Sequence, residues 1–170
     1  MDNKSILHIN KNYWDKNADD WFGGTALPTY GVQFVTEDEL KLFGDVSGKK
    51  LLDIGCGSGH SLKYHGDNKA AELWGIDMSE KQIENANKYL SEWGYTPKLI
   101  SAPMEVDCGI PKDYFDFVYS IYAIGWTTDL QGTFNRIASY LKKTTLMRIG
   151  LHIYWMTAIL HCVIGRFQLI

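Results

Sequence analysis

An apolar strand that runs directly into a glycine-rich loop is the feature that most limits how this 170-residue chain can fold. Residues 50–54 (KLLDI) form a short apolar run, and Gly55, Gly57 and Gly59 follow it at alternate positions. Glycine lacks a Cβ atom, so such a loop can turn sharply and let a bound molecule approach the backbone closely. A helix that begins after the loop adds free N–H groups and a partial positive charge. The segment therefore predicts a buried strand, a tight turn and a helix.

Strand and helix patterns alternate along the rest of the chain. The predicted strands lie at 50–54, 71–76, 98–101 and 115–120, and the predicted helices at 59–64, 79–93 and 129–141. Alternation of this kind predicts an α/β fold with a doubly wound, mostly parallel sheet and helices on both faces. Ligands bind such sheets beyond the carboxyl ends of the strands, so the residues that follow each strand are candidates for a site.

Further helices are predicted from apolar spacing and from capping signals. Trp14, Ala18 and Trp21 share one face of an N-terminal helix. Capping boxes at 36–39 (TEDE) and 79–82 (SEKQ) each predict the start of a helix. The residues expected on the buried faces of these two helices are Leu40, Phe43, Ile83, Ala86, Leu90 and Trp93.

Composition excludes several classes of protein. A chain with 45% hydrophobic and 22% charged residues is typical of one globular domain and not of a disordered segment. Its formal net charge of −3 is unlike that of a nucleic-acid-binding protein, which usually carries a basic patch. Cys56, Cys108 and Cys162 are far apart and odd in number, so they form neither a disulfide framework nor a zinc pair. This pattern indicates a reducing compartment, and we expect a cytoplasmic protein.

A second signal lies at the end of the next predicted strand, where Asp77 follows Gly59 by 18 residues. An acid there can accept hydrogen bonds from both ribose hydroxyls of an adenosine, and it can also cap the helix ahead of Ser79. A dinucleotide fold requires a third glycine at position 60, but that position holds His60. Asp53, two residues before the first glycine, would repel a pyrophosphate. The spacing therefore favours a cationic or zwitterionic ligand, and the Walker pattern is absent.

These motifs resemble those of the class I S-adenosylmethionine-dependent methyltransferases, and in particular the bacterial small-molecule type of methyltransferase domain. The similar segments are 51–60 (LLDIGCGSGH), 74–79 (WGIDMS), 101–105 (SAPME), 114–126 (YFDFVYSIYAIGW) and 141–143 (LKK). The resemblance covers about 13–143. It implies a Rossmann-like fold, S-adenosyl-L-methionine as the methyl donor and S-adenosyl-L-homocysteine as the product.

The resemblance also implies roles for individual residues. The glycine loop, with Asp53, Gly55 and Gly57, would hold the methionine end of the cofactor. Asp77 would bind the ribose. The remaining predicted contacts are Met78 against the adenine, Met104 and Glu105 beside the base, Ser120 and Ile121 around the sulfonium, Cys56 and Gly59 in the loop, and Tyr13, Trp14 and Trp21 in a lid helix.

The chemistry that the resemblance implies demands little of the protein. The cofactor carries the activated carbon, so the protein mainly aligns donor and acceptor and excludes water. We predict no metal site and interpret His60, His65 and Asp67 as solvated polar residues, and we identify no general base. Candidates for cation–π contact with the sulfonium, or for core packing, are Trp14, Tyr30, Tyr122 and Trp126.

We expect the methyl acceptor to be a small molecule. The fourth strand leads into residues 120–123 (SIYA), which differ from the Asp/Asn-Pro-Pro-aromatic run of enzymes that methylate exocyclic amines. No cysteine lies beside a proline as in the cytosine-carbon methylases. We expect neither a nucleic acid nor a membrane as partner and leave the oligomeric state open. Two alternatives remain: a cofactor-binding remnant without turnover, and a nicotinamide-dependent oxidoreductase.

Residues 144–170 depart from the family pattern. The usual glycine turn before the fifth strand is missing, and the remaining length leaves the C-terminal strands incomplete. Residues 149–165 contain no Asp, Glu, Lys or Arg, and 17 residues is the lower limit for a membrane span. Three interpretations of this segment remain open: a buried strand or strand pair, a non-native tail of a truncated or frame-shifted product, and a membrane helix. We divide the chain into a lid helix and loop at 1–35, a cofactor-binding domain at 36–143 and an atypical tail at 144–170.

Overall fold

Strands and helices alternate along the chain as the sequence predicts. A computed structural model describes residues 2–30, 35–143, 147–153, 156–163 and 166–169. The elements in chain order are α1 (Asn3–Asn17), β1 (Thr29–Tyr30), β2 (Val35–Thr36), α2 (Glu37–Leu40), β3 (Lys50–Ile54), α3 (His60–Asp67), β4 (Glu72–Asp77), α4 (Glu80–Glu92), β5 (Lys98–Ser101), β6 (Phe117–Tyr119), α5 (Leu130–Tyr140), β7 (Met147–Ile153), β8 (Met156–Val163) and β9 (Arg166–Leu169). A short 3-10 helix, Ile124–Trp126, lies between β6 and α5.

Four strands form a parallel sheet in the order β5-β4-β3-β6. Leu52 in the middle of β3 pairs with Trp74 of β4 on one side and with Val118 of β6 on the other. The chain therefore leaves β3 toward β4 and β5, and later returns to the opposite side of β3 with β6. This reversal opens a crevice above the carboxyl end of β3, where ligands of doubly wound sheets bind. The predicted α/β architecture is confirmed.

Alternate side chains of β3 contribute to two apolar cores. Leu51 packs on one face of the sheet with Leu62 of α3 and Leu90 of α4. Leu52 packs on the opposite face with Ile137 of α5. Successive residues of a strand point to opposite faces, so β3 is buried on both sides. The glycine loop that follows β3 therefore starts from the most firmly packed strand of the sheet.

The N-terminal helix is longer and begins earlier than predicted. Helix α1 begins at Asn3 because the Asp2 carboxylate accepts a hydrogen bond from the backbone N–H of Ser5, at 2.8 Å, and caps the first turn. It ends at Asn17, so Trp21 lies in the turn that follows the helix and not on its face. The spacing of Trp14, Ala18 and Trp21 locates the segment but not its ends.

Both predicted capping boxes mark the start of a helix. The Ser79 hydroxyl accepts from the backbone N–H of Gln82 at 3.1 Å, and Glu39 accepts from the backbone N–H of Thr36 at 2.8 Å. Two expectations of burial are wrong. Leu40 is exposed because α2 ends after one turn, and Trp93 is 59% exposed because it lies beyond the last turn of α4.

The C-terminal strands form an antiparallel sheet of their own, with β8 between β7 and β9. The described parts of 149–165 are therefore strands, and the membrane-helix interpretation is wrong for them. No helix within the described ranges is long and apolar enough to cross a bilayer. Residues 144–146, where the predicted departure from the family begins, lie outside the described residues, as do 154–155 and 164–165. The interpretation as a non-native tail stays a prediction.

Candidate active site

A pocket of about 800 Å³, counting its open mouth, lies above the carboxyl ends of β3, β4 and β6. Its wall is formed by α1 with the loop that follows it, the glycine loop with the start of α3, the end of β4 with the start of α4, the loop after β5 and the loop after β6. Ten of the predicted cofactor-binding residues line it, namely Trp14, Trp21, Asp53, Gly55, Cys56, Gly57, Asp77, Met78, Met104 and Ile121. The tertiary structure thus brings together residues from all the segments that the sequence singled out.

Two predicted residues that do not line the pocket have structural hydrogen bonds instead. Ser120 is fully buried, and its hydroxyl donates to the carbonyl of Ile54 at 2.7 Å, which joins β6 to β3. The Glu105 carboxylate accepts from both the backbone N–H and the hydroxyl of Thr128, at 2.9 Å each. Both side chains hold neighbouring loops in place, and the expectation that they also contact the cofactor stays a prediction.

Gly59 and Tyr13 also lie outside the pocket lining. Gly59 caps α3 with a φ of +81°, and a Cβ atom there would lie 2.7 Å from Leu90 Cδ1, so its small size serves the packing of α3 against α4. Tyr13 stacks on Trp126 from outside, with ring centroids 5.9 Å apart, and is 43% exposed. Tyr13 therefore supports the pocket mouth without contacting its interior.

The glycine loop is pinned to β4 by its own backbone. The N–H groups of Gly55 and Cys56 donate to the carbonyl of Ile76 at 2.7 and 3.0 Å. A Cβ atom on Gly55 would collide with the side chain of Ala123. A Cβ atom on Gly57 would meet nothing nearer than Gln82 Oε1, at 3.9 Å, because the space in front of Gly57 is the pocket itself. Gly55 is thus required for packing, whereas Gly57 leaves room for a ligand.

Asp53 is a buried acid whose carboxylate is incompletely satisfied. Only 2% of the residue is exposed, and its Oδ1 makes no well-formed hydrogen bond with any described residue. Burial raises the pKa of Asp53 well above its ordinary value, the Tyr119 hydroxyl opposes this shift, and the charge of Asp77 adds to it. A buried carboxylate without a partner is costly, and a bound cation would remove that cost.

Asp77 serves the helix-capping role that the sequence left open for it, and its ribose-binding role stays a prediction. Its Oδ1 accepts from the backbone N–H of Ser79 at 2.9 Å, which caps the start of α4, and its Oδ2 accepts from the N–H of Gly57 at 3.0 Å. Burial raises the pKa of Asp77, and the N–H groups of Ser79 and Gly57 oppose that shift. Each carboxylate oxygen has a second lone pair, so Asp77 can still accept hydrogen bonds from a molecule in the pocket.

The loop 23–26 lines the pocket although the sequence analysis did not select it. Its position is held by the glycine loop: Gly23 N–H donates to the Ser58 hydroxyl at 3.0 Å, and Ser58 also bonds to His60 Nδ1 at 3.0 Å. Burial lowers the pKa of His60, and its ring stacks on Tyr89 with centroids 3.9 Å apart. These contacts join segments about 35 residues apart, so no local spacing could have predicted them.

Gln82 is a second residue that sequence reasoning assigned only to helix capping. Its side chain lines the pocket, only 3% of the residue is exposed, and Oε1 is buried without a hydrogen-bond partner among the described residues. An amide oxygen in that state can accept a hydrogen bond from a ligand hydroxyl.

Helix α1 covers the pocket through polar and aromatic contacts rather than through a buried apolar face. None of its residues is buried. Asp15 Oδ1 accepts from the Ser79 hydroxyl at 2.7 Å, and Asn10 donates to the carbonyl of Trp126 at 3.2 Å. Helix α1 is therefore attached to α4 on one side of the pocket and to the loop after β6 on the other.

Three of the four candidate aromatic residues line the pocket, namely Trp14, Tyr122 and Trp126. Tyr30 does not, and its hydroxyl donates to Glu37 at 2.6 Å in a different part of the fold. Tyr122 has a φ of +65°, a left-handed conformation that is uncommon for a bulky residue and is often found at functional sites.

The interpretation of three polar residues as solvated is wrong for His65. This residue is fully buried and packs against Phe43 and Tyr119, with ring centroids 4.5 and 5.0 Å away. His60 is half-buried at the pocket wall, whereas the Asp67 side chain is about half exposed and pairs with Lys63. Within the described ranges, no group of three or more His, Cys, Asp or Glu residues is arranged to hold a metal ion.

Comparison with known proteins places this pocket in a family. Residues 52–149, more than half of the chain, match the profile of the family described as "Methyltransferase domain". The probable S-adenosylmethionine-dependent methyltransferase CRG1 of Saccharomyces cerevisiae is 30% identical over 134 residues, which cover 78% of this chain and 45% of that protein. The aklanonic acid methyltransferase DauC of a Streptomyces species is 30% identical over 116 residues, which cover 65% of this chain and 53% of that protein.

A solved structure supports the same fold. Phosphoethanolamine N-methyltransferase 1 of Haemonchus contortus, in complex with phosphoethanolamine and S-adenosylhomocysteine, superposes with a TM-score of 0.71 at 14% identity, and the match covers 91% of this chain and 34% of that one. The chain spans between about a fifth and half of the length of the curated relatives it matches. Because its residues 52–149 match the family profile and it forms a parallel sheet with a glycine-loop pocket, the chain belongs to the methyltransferase domain family.

Proposed function

We propose that this chain binds S-adenosyl-L-methionine in the pocket above β3 and acts in methyl transfer to a small-molecule acceptor, with S-adenosyl-L-homocysteine as product. The observation that carries this proposal is a pair of acids at the carboxyl ends of two neighbouring strands, the buried Asp53 and the half-buried Asp77, which line one pocket together with the glycine loop. A pocket with two acids and open backbone space suits a ligand that carries an ammonium group and a ribose.

The methionine end of the cofactor would lie against Asp53 and Gly57. Its α-ammonium group would supply the partner that Asp53 Oδ1 lacks, and the open space in front of Gly57 would admit the methionine chain. Charge-assisted hydrogen bonds to a buried carboxylate are among the stronger polar contacts. When bound, the cofactor supplies a methyl group that is activated by the positive sulfonium.

The adenosine would lie toward β4 and β5. Asp77, already oriented by Gly57 and Ser79, would accept the ribose hydroxyls, and Gln82 Oε1 offers a further acceptor nearby. Met78 and Met104 line the same side of the pocket and would form apolar walls for the base. We assign the ribose and base contacts to these four side chains, in place of Glu105.

The chain's contribution to catalysis would be alignment and exclusion of water. Trp14 and Trp21 line the pocket from the lid side, so a closed α1 would shield the reacting atoms from solvent. His60 would remain neutral at pH 7, since burial lowers its pKa. Holding donor and acceptor in line is the main requirement of such a displacement.

Two observations support a small-molecule acceptor. The pocket-lining residues within the described chain include no Lys or Arg, which disfavours a polyanion such as a nucleic acid. The relative DauC is named for aklanonic acid, a small molecule. We further propose that the protein acts in the cytoplasm, on the basis of its cysteine pattern, and that the boundaries 1–35, 36–143 and 144–170 separate lid, cofactor domain and tail.

Isothermal titration with S-adenosyl-L-homocysteine and with NAD tests the cofactor assignment. We expect the first compound to bind and NAD not to bind. Asp53→Asn should weaken S-adenosyl-L-homocysteine binding by about 1.5–3 kcal/mol, the range for a hydrogen bond to a charged group. Binding of NAD, or equal affinity in the Asp53→Asn variant, would overturn the assignment. A radiolabel transfer assay on cell extract then distinguishes an active enzyme from a protein that only binds the cofactor.

A further inference from the structure

Four aromatic rings surround the mouth of the pocket, and we call them the aromatic rim: Tyr13, Trp14, Trp21 and Trp126. Trp14 packs edge-on against both Trp21 and Trp126, with centroids 5.9 and 5.2 Å away. Tyr13 stacks on Trp126 from outside at 5.9 Å, with the ring planes 16° apart. Three of the chain's six Trp residues thus meet at one opening.

The aromatic rim is exposed although its members are large and apolar. Trp21 is 40% exposed and Trp126 is 38% exposed, and both also line the pocket interior. Core packing does not account for rings in that state, because they still present apolar surface to water. Clusters of exposed aromatic surface around a cavity are typical of ligand-binding sites.

The rim is also held in position. Asn10 of α1 donates to the backbone carbonyl of Trp126 at 3.2 Å, and the Tyr13 ring covers the outer side of the same indole. Trp126 lies at the end of the short 3-10 helix after β6. Its ring contacts the rings of Tyr13 and Trp14, and a ring held by such contacts can bind a ligand without a large loss of side-chain entropy.

The charges around the pocket disfavour an anionic acceptor. Its ionisable lining residues, in the described chain, are Asp53, Asp77, Cys56, His60 and Tyr122, and none of them is a Lys or Arg that could pair with a carboxylate or phosphate. Burial lowers the pKa of His60 and raises that of the Cys56 thiol, so both are neutral at pH 7. The two acids are the groups assigned to the cofactor under the proposed function, on which this inference rests. An acceptor would therefore meet uncharged aromatic surface.

We propose that the aromatic rim binds a neutral, planar aromatic ring system, and that such a molecule is the methyl acceptor. The indole of Trp126 is the central contact, and Trp14 packs against both Trp126 and Trp21. Offset or edge-on contacts with indole rings favour a planar ring over an aliphatic one of the same size. A negatively charged form of the same ring would bind more weakly, because no Lys or Arg in the described pocket lining compensates its charge.

Isothermal titration tests the inference with 2-naphthol, 2-naphthoate and decahydro-2-naphthol as probes, on protein saturated with S-adenosyl-L-homocysteine. Binding of S-adenosyl-L-homocysteine is measured first, so a failure of the cofactor assignment appears before any probe is added. We expect 2-naphthol to bind and the two other probes to bind about tenfold more weakly, or not at all. Equal or tighter binding of 2-naphthoate or of the saturated alcohol would overturn the inference.

Variants separate the rim from general aromatic surface. Trp126→Ala should weaken 2-naphthol binding by about tenfold, whereas Trp126→Phe should retain most of it. Trp93→Ala is the matched control, because Trp93 is 59% exposed, lies under Lys63 Nζ and does not line the pocket. If Trp126→Ala also fails to bind S-adenosyl-L-homocysteine, 2-naphthol binding by the Trp126→Phe and Trp93→Ala variants tests the inference. About tenfold weaker 2-naphthol binding in Trp93→Ala, or unchanged binding in Trp126→Ala, contradicts a specific rim.

Discussion

The Asp77 carboxylate accepts a hydrogen bond from the backbone N–H of Gly57 at 3.0 Å, across 20 residues of sequence. This bond connects the end of β4 to the glycine loop after β3, and the second Asp77 oxygen caps α4 through Ser79. The residue that we propose to bind the ribose is thus also the residue that holds the loop and the helix together. Under this proposal, ligand binding and local stability are coupled at Asp77.

Asp77→Asn should weaken both S-adenosyl-L-homocysteine binding and folding. The amide replaces one acceptor oxygen with an NH₂ group, which then faces a backbone N–H donor. We expect binding to weaken by about 1–3 kcal/mol and the free energy of unfolding to fall by about 1–2 kcal/mol. Titration calorimetry and urea unfolding measure the two effects. Asp67→Asn, which changes a side chain about half exposed outside the pocket lining, is the control, and an unchanged affinity in Asp77→Asn would remove this acid from the site.

Gly57→Ala should strongly weaken S-adenosyl-L-homocysteine binding but lower the free energy of unfolding only modestly. The added methyl group would occupy open space in the pocket, so the folded chain bears mainly the backbone cost of a positive φ, about 1 kcal/mol. Gly48→Ala is a matched control, since Gly48 also has a positive φ and an empty surrounding but does not line the pocket. We expect similar losses in unfolding free energy for the two variants and a loss of S-adenosyl-L-homocysteine affinity in Gly57→Ala alone. Equal affinities would show that the ligand does not approach Gly57.

Asp15→Ala should loosen the lid helix while the rest of the fold stays intact. Asp15 accepts from the Ser79 hydroxyl and from the backbone N–H of Lys81, and α1 has no buried residue to compensate for their loss. Loss of these hydrogen bonds should lower the free energy of opening α1 by about 1 kcal/mol, which corresponds to roughly fivefold faster amide hydrogen exchange in the helix. Asp20→Ala, at an exposed position after the helix, is the control. Unchanged exchange in α1 of the Asp15→Ala variant would argue against this attachment.

His65 should make the fold less stable in mild acid. Burial lowers its pKa from 6.5 to about 3, so the unfolded chain binds a proton at higher pH than the folded chain does. The stability that the neutral His65 side chain contributes is fully present above about pH 6.5 and is lost as the pH falls from there toward 3. We expect the free energy of unfolding to fall by about 2 kcal/mol between pH 7 and pH 5. The raised pKa values of Asp53 and Asp77 act in the opposite direction, since protonation of these acids favours the folded state.

A comparison with His65→Leu isolates this contribution, because the acids and the other histidines are common to both proteins. The free energy of unfolding, measured in urea from pH 7 to pH 5, should fall more steeply for the unmodified chain than for the variant. Parallel curves would mean that His65 is solvated or paired in the folded state.

Local sequence signals predicted the elements of the fold but not all of their faces. The run KLLDI and the capping box at 79–82 correctly located β3 and α4, because strand burial and helix capping depend on residues close together in sequence. Leu40 and Trp93 were expected to be buried and are exposed, because the helix ends beside them. His65 was expected to be solvated, but α3 turns it toward Phe43, which comes from a segment 22 residues earlier.

The sequence by itself determined the parallel sheet, the glycine loop and the two acids at the strand ends, because periodicity and glycine spacing are properties of neighbouring residues. Only the tertiary structure decided which side chains face the pocket. It placed the side chains of Ser120 and Glu105 in structural hydrogen bonds. It also brought the loop 23–26, Gln82 and the aromatic rim to the pocket. Those outcomes depend on contacts between distant segments, and such contacts form only when the packing of α1, α4 and the loop after β6 sets their distances.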